Sequence, residues 1–164
     1  DPVMVAKGGH ALLESDAMQA MKERLLPVAA LITPNVPEAE ALTGRKIESA
    51  NDFADVAASI GDMGAKAVLI KGGHLDGDVL TDVLWQGGEV TAFESLRIDT
   101  AHTHGTGCTL ASSIACGLAQ GLDLTAAVKR GRDYVHQAIL SAPGYGHGHG
   151  PLNHAHTVRE FPED

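Results

Sequence analysis

The sequence predicts an α/β fold with a mostly parallel central sheet, and three observations carry that expectation. Short apolar runs at 29–32 and 67–70 each lead into a loop rich in glycine or proline, as buried strands do. A helix, a glycine, a strand and a glycine loop follow one another over residues 52–73, the repeat from which parallel sheets are built. The 164 residues include 19 glycines, most of them at breaks between periodic segments. This length suits one domain, 1–164, with a sizeable core.

The elements follow in order. Residues 14–26 carry Leu13, Ala17, Met21 and Leu25 at helical spacing, with Ser15 or Asp16 as the N-cap. The run 29–32 reads as a buried strand ending at Thr33-Pro34-Asn35. Pro37 then opens a short helix, 38–43, stopped by Gly44. Asn51 or Asp52 caps the next helix, whose apolar face is Phe53, Val56, Ala57, Ile60 and Met63, and Gly64 ends it. Residues 79–85 and 90–98, joined through Gly87-Gly88, read as a hairpin. Two helices with apolar faces follow at about 107–119 and 124–140. The tail from Pro143 is rich in glycine and histidine and reads as irregular.

Composition narrows the function. Hydrophobic residues make up 44% of the chain and aromatics only 4%, so small aliphatics build the core. A net charge of −9 with no basic stripe argues against nucleic acid as a general partner. No apolar run approaches the roughly 20 residues of a membrane span, and no signal peptide opens the chain. If Cys108 and Cys116 share a helix, they stand about 12 Å apart along its axis, too far for a disulfide, which fits a cytoplasmic protein. Asp1 to Val5 reads as a strand end entering a loop, with no preceding run to supply the strand. The expectation is therefore a chain that starts inside a fold, its N-terminal part absent.

The segment 102–108, H-T-H-G-T-G-C, carries the strongest chemical signal. Gly105, Thr106 and Gly107 at a helix start leave backbone N–H groups free to surround an anion, at the positive end of the helix dipole. Cys108 sits at that end, where a thiolate is favoured; the competing reading is a small buried hydrophobe. Cys116, in mid-helix, reads as such a buried hydrophobe. Together, cradle and thiol suggest phosphoryl transfer, with a base taking a proton from a substrate hydroxyl.

Two loops at strand ends add to it. Lys71-Gly72-Gly73-His74 follows the 67–70 strand and places a lysine in reach of a nucleotide phosphate; a turn with a solvated lysine is the alternative. Thr33-Pro34-Asn35-Val36-Pro37-Glu38 offers an amide and a carboxylate suited to hydrated Mg²⁺, or simply a helix cap and a dipole partner. His147, His149, His154 and His156 crowd the tail, yet their spacing fits no standard zinc pattern. His102 and His104 read as shaping the anion loop.

Four motifs occur in order: T-P-N-V-P-E-A-E-A-L-T-G (33–44), V-L-I-K-G-G-H (68–74), H-T-H-G-T-G-C-T-L (102–110) and G-H-G-P-L-N-H (148–154). The series, with D-P-V-M at 1–4, closely resembles the hydroxymethylpyrimidine/phosphomethylpyrimidine kinases of thiamine biosynthesis, in the ribokinase-like superfamily. The resemblance implies a three-layer α/β/α sandwich and ATP-dependent phosphorylation of 4-amino-5-hydroxymethyl-2-methylpyrimidine and then of its monophosphate. It implies that Cys108 stands where ribokinase relatives carry an aspartate base and that Gly105, Thr106 and Gly107 build the anion hole. Lys71 and Asn35 would bind ATP, Glu38 and Asp1 would serve Mg²⁺, and Val3 would touch the pyrimidine.

Family members extend further at the N-terminus, so an exposed sheet edge, homo-oligomerisation and at most weak kinase activity are expected of these 164 residues alone. Pyridoxal kinase and hydroxyethylthiazole kinase share the glycine-rich loop and are the alternative activities. A fragment that binds nucleotide without turnover, and a metal binder built on the histidine tail, are the readings from other classes.

Overall fold

The structure is a computed structural model that describes residues 1–4 and 13–158. Packing divides the chain into two compact units, Asp1–Arg97 and Ile98–Asp164. Val5, the last residue of the expected strand end, lies outside the described residues, and residues 1–4 form no regular element.

The first unit is built around β1 (Ala67–Ile70), whose four residues are all buried. Such a continuous apolar run requires cover on both faces. Val68 and Ile70 join a cluster with Phe53, Val56 and Ile60 of α3 (Phe53–Asp62) and Leu42 of α2 (Val36–Thr43). β1 pairs antiparallel with β2 (Val79–Gln86), and β2 with β3 (Glu89–Leu96), giving the order β1-β2-β3. Gly87 and Gly88 take φ +58° and +96°, the two left-handed positions that a tight hairpin turn demands.

The mostly parallel sheet expected from the sequence is not what these residues form. Parallel pairing occurs beside β1 only as isolated bridges, Ile32 to Val68 and Asn35 to Lys71. The segment 29–32 therefore contributes single pairings in place of the expected strand. It turns at once into the proline-bearing loop, which leaves no length for a continued ladder.

Further local expectations are corrected at α1. The helix expected over 14–26 is α1 (Ser15–Ala20) continued by a π-turn at Met21–Leu25. The wider turn shifts the helical phase, so Leu26 is buried and Leu25, expected on the buried face, is 57% exposed. Glu14, not Ser15 or Asp16, holds the N-cap position of α1. Asp52, one of the two expected residues, holds the N-cap position of α3 without a side-chain cap bond; the 3₁₀ turn before it, Ala50–Asp52, is capped by Ser49, whose side chain accepts from Asn51 N while Asp52 reaches back to the amides of Ser49 and Glu48, each at 2.9 Å. Those two amides hold the Asp52 carboxyl below its ordinary range.

The second unit is a helix pair, α4 (Thr106–Ala119) and α5 (Leu124–Leu140), close to the expected spans. Asp123 caps α5 by accepting from Ala126 N at 2.8 Å. The two helices meet at glycines: a Cβ on Gly131 would stand 2.8 Å from Ile114 Cγ1, and one on Gly117 would stand 3.1 Å from Ala127 Cβ. Both cysteines lie on α4, both free and both exposed, so the expectation of a buried Cys116 is wrong. The buried stripe of α4 runs through Leu110, Ile114 and Gly117, and Cys116 falls off it.

Gly131→Ala is expected to lower stability by about 1–3 kcal/mol in urea unfolding, because the added methyl has nowhere to go. Asp52→Asn is expected to destabilise at neutral pH. Because the folded carboxyl titrates below its unfolded value, its stabilisation is present above the unfolded pKa of about 3.9 and fades as pH falls through the folded value. Melting curves at neutral and at acid pH should show the gap between variant and parent closing in acid.

Candidate functional site

In the first unit, the parallel bridge between Asn35 and Lys71 brings two of the loops singled out from sequence side by side. Lys71 N donates to Pro34 O at 2.9 Å, which fixes the pairing. The Lys71 ammonium pairs with Asp1 Oδ1 at 2.7 Å, the two side chains being only 14% and 12% exposed. Thr33 Oγ1 donates to the same carboxylate oxygen at 3.4 Å. Lys71 is thus not the solvated turn lysine that its local sequence allowed.

Asn35 and Glu38 form a capping box at the start of α2. Asn35 Oδ1 accepts from Glu38 N at 2.9 Å, and Glu38 Oε2 accepts from Asn35 N at 2.8 Å. Glu38 Oε1 also accepts from Met4 N at 3.3 Å, so this buried carboxylate ties residues 1–4 to the loop. Val3, between the held Asp1 and the buried Met4, is 43% exposed and has φ +37°. A β-branched residue in that region is strained, a cost of order 1–3 kcal/mol.

Among the described residues no group of three or more His, Cys, Asp or Glu side chains is arranged to hold an ion. Glu38 spends both oxygens on backbone amides, and Asp1 faces a lysine. Such carboxylates suit an ion that keeps its water shell and brings most of its ligands with a phosphate.

In the second unit, Gly105 takes φ +83° and turns the chain into α4, leaving the helix start without a side-chain cap. The first-turn N–H groups of a helix have no partner within it. Thr106 Oγ1 donates to Thr103 O at 3.3 Å and Thr109 Oγ1 to Gly105 O at 2.8 Å, so both hydroxyls brace the loop. Cys108 lies in this first turn and is exposed.

The tail supports the same loop. His104 N donates to Gly150 O at 3.3 Å, His149 Nδ1 lies 3.3 Å from Ala101 O, and His104 bridges to Pro151. Gly150 is needed there, because a Cβ would stand 2.1 Å from His102 Nδ1. Tyr134 of α5 packs on His154 and His156, with ring centroids 6.4 Å and 4.5 Å away. Of these tail histidines, His149 reaches the loop, whereas His154 and His156 pack on Tyr134.

Two residues near the first cluster escaped the sequence reading. Asp82, 5% exposed on β2, accepts from Gly72 N at 2.8 Å. Arg97, just past β3, donates to the carbonyls of Gly73, Leu75 and Gly77. An acid in the middle of the strand sequence V-L-T-D-V-L-W was the available signal for the first.

The α/β chain resembles solved structures of pyridoxal and phosphomethylpyrimidine kinases, which are ribokinase-like. Pyridoxal kinase from Staphylococcus aureus, solved in complex with ADP, superposes with a TM-score of 0.88 at 35% identity, over 97% of this chain and 58% of that one. Phosphomethylpyrimidine kinase from Clostridium difficile gives 0.72 at 40% identity, over 85% and 55%. The phosphomethylpyrimidine kinase family model matches residues 1–153, and the chain belongs to that family. It is 49% identical to the thiamine biosynthesis bifunctional protein ThiED of Geobacter sulfurreducens and 45% identical to the hydroxymethylpyrimidine/phosphomethylpyrimidine kinase of Streptomyces coelicolor, over 98% of its own length in both cases. It spans 33% and 59% of those two proteins.

Asn35→Ala removes the α2 cap and is expected to cost about 1 kcal/mol, read by chemical denaturation. Asn35→Asp, which keeps the acceptor, should restore most of it.

Proposed function

We propose that this chain carries catalytic parts of an ATP-dependent kinase that phosphorylates 4-amino-5-hydroxymethyl-2-methylpyrimidine and then its monophosphate. It is read as part of a single ribokinase-like domain, a three-layer α/β/α sandwich. The observation that carries the reading is the uncapped start of α4, with Gly105 at φ +83° and a cysteine in the first turn. Oriented amides at a helix start stabilise the negative charge that spreads over a phosphoryl group in transfer. The family match supplies the substrate class.

Roles follow from chemistry. The Gly105, Thr106 and Gly107 segment holds the transferring group. Cys108 takes the hydroxyl proton or orients that hydroxyl, and its exposure leaves it open to an acceptor. Lys71 and Asn35 serve the nucleotide phosphates. Glu38 and Asp1 would hold Mg²⁺ through its water shell, and the ion would supply positive charge against the phosphates. Val3 contacts the pyrimidine. Two free cysteines support a reducing, cytoplasmic setting, and association of copies through an exposed sheet edge belongs to the same reading. Among the described residues no helix is long and apolar enough to cross a membrane.

Pyridoxal phosphorylation is the second reading, favoured by the pyridoxal kinases among the structural neighbours. Competition between the pyrimidine alcohol and pyridoxal in an assay of ADP release by the intact protein separates the two. Nucleotide binding without any turnover would overturn both.

Cys108→Ala is expected to lower turnover by about 100-fold or more while leaving ADP affinity, measured by calorimetry, unchanged. Lost ADP binding with residual turnover unchanged would make Cys108 a structural residue.

A further inference from the structure

The loop that follows β1 is gripped from two sides by groups outside it. Two consecutive amides are pinned: Lys71 N to Pro34 O at 2.9 Å, and Gly72 N to the buried Asp82 Oδ1 at 2.8 Å. Gly72 lies so close to β2 that a Cβ would stand 2.0 Å from Thr81 O. Beyond it, Arg97 Nε donates to Gly77 O at 2.8 Å and Nη1 to Gly73 O at 3.1 Å, while Nη2 donates to Leu75 O. Only a guanidinium has the rigid fork of donors needed to reach three carbonyls from one side chain. Both anchors belong to the same hairpin: Asp82 is in β2, and Arg97 follows β3 with its own N–H on Asp78 O at 2.8 Å.

We propose that Asp82 and Arg97 are positioning residues for Lys71, which make the β2–β3 hairpin the template that shapes this loop for a nucleotide polyphosphate. The inference rests on the reading of Lys71 as a phosphate-binding residue. Asp82 fixes the peptide immediately after Lys71, and so the direction in which the lysine stem leaves the strand. Arg97 fixes the path of residues 73–77, which would otherwise be a glycine-rich turn free to swing. Neither residue needs to touch the ligand, because each acts through the main chain. Their effect is therefore specific to the phosphates and passes through Lys71.

The test is a set of calorimetric titrations of the intact protein with ADP and with adenosine, for the parent, Lys71→Ala, Arg97→Ala, Asp82→Ala and the two double variants. Arg97→Ala and Asp82→Ala, which removes the acceptor for Gly72 N, are each expected to weaken ADP by about 3- to 30-fold and to leave adenosine unchanged. In the Lys71→Ala background neither should add a further loss. Arg97→Lys, which keeps the charge but not the fork, should behave like Arg97→Ala.

Equal losses for ADP and adenosine, or additive losses on top of Lys71→Ala, would overturn the proposal and leave a merely structural hairpin. A parent that binds ADP through Lys71 while the hairpin variants bind it equally well overturns the proposal alone. A parent that does not bind ADP, or a Lys71→Ala variant that binds it as tightly, overturns the kinase reading and this proposal with it. Hydrogen exchange on the ligand-free protein gives an independent arm: Arg97→Ala should speed exchange in the loop after Lys71 and spare β1, and unchanged loop exchange would reject the role.

Discussion

The carboxyl end of β1 is held on both edges, and the first unit depends on that. On one side the strand meets the 32–35 segment through parallel bridges; on the other it meets β2 in antiparallel register. Because Ala67 to Ile70 are buried, the strand cannot slide without exposing its whole apolar run. Its end is therefore a fixed point. Asn35, placed opposite Lys71 by the bridge, inherits that precision, and so does the capping box it forms with Glu38. Residues far apart in sequence become one cluster because a short strand has two hydrogen-bonding edges.

Much of this was legible in advance. The spans of α3, α4, α5 and the hairpin follow from apolar periodicity and glycine placement, which are local properties. What escaped was set by non-local packing. Leu25 and Leu26 differ by one residue in sequence, yet a π-turn decided which of them is buried. Ile32 looked like the end of a strand, but it pairs with Val68 as a single bridge. Cys116 sits among apolar neighbours in sequence and is exposed, because only the Leu110–Ile114–Gly117 stripe of α4 is buried. Periodicity predicts that a helix has an apolar face; it does not say which marginal residues lie outside it.

The candidate site shows the same division. Glycines and the Asn-x-x-Glu spacing are visible as letters because they answer to local backbone needs: a left-handed turn at Gly105, a cap at Asn35. Sequence could place Asn35 and Glu38 together but could not choose between a cap and a metal position. The structure answers the first half, since both Glu38 oxygens accept backbone N–H groups. That does not remove the carboxylate from phosphate chemistry. A buried acid already held by two amides is fixed in place, and that fits the proposed role beside a cation that keeps its own water shell. Asp82 and Arg97 were harder to see, because their partners are main-chain atoms of another segment, which leave no mark in residue identity.

Likeness of shape and likeness of sequence point to different relatives. Similarity of shape is greater to a pyridoxal kinase, with a TM-score of 0.88 against 0.72, whereas sequence identity is greater to a phosphomethylpyrimidine kinase, at 40% against 35%. The physical reason lies in what each measure follows. The proposed phosphate cradle of helix-start amides and a glycine turn is main chain, and main chain is indifferent to the alcohol that receives a phosphoryl group. Shape therefore reports the shared half of the chemistry. Discrimination between two flat heteroaromatic alcohols must come from side chains, whose unmet hydrogen bonds penalise the wrong ring. Identity is the measure that counts side chains, and the family match over residues 1–153 weighs on the same side. Backbone likeness to the pyridoxal kinases and side-chain likeness to the pyrimidine kinases are thus compatible, and the second bears on the acceptor.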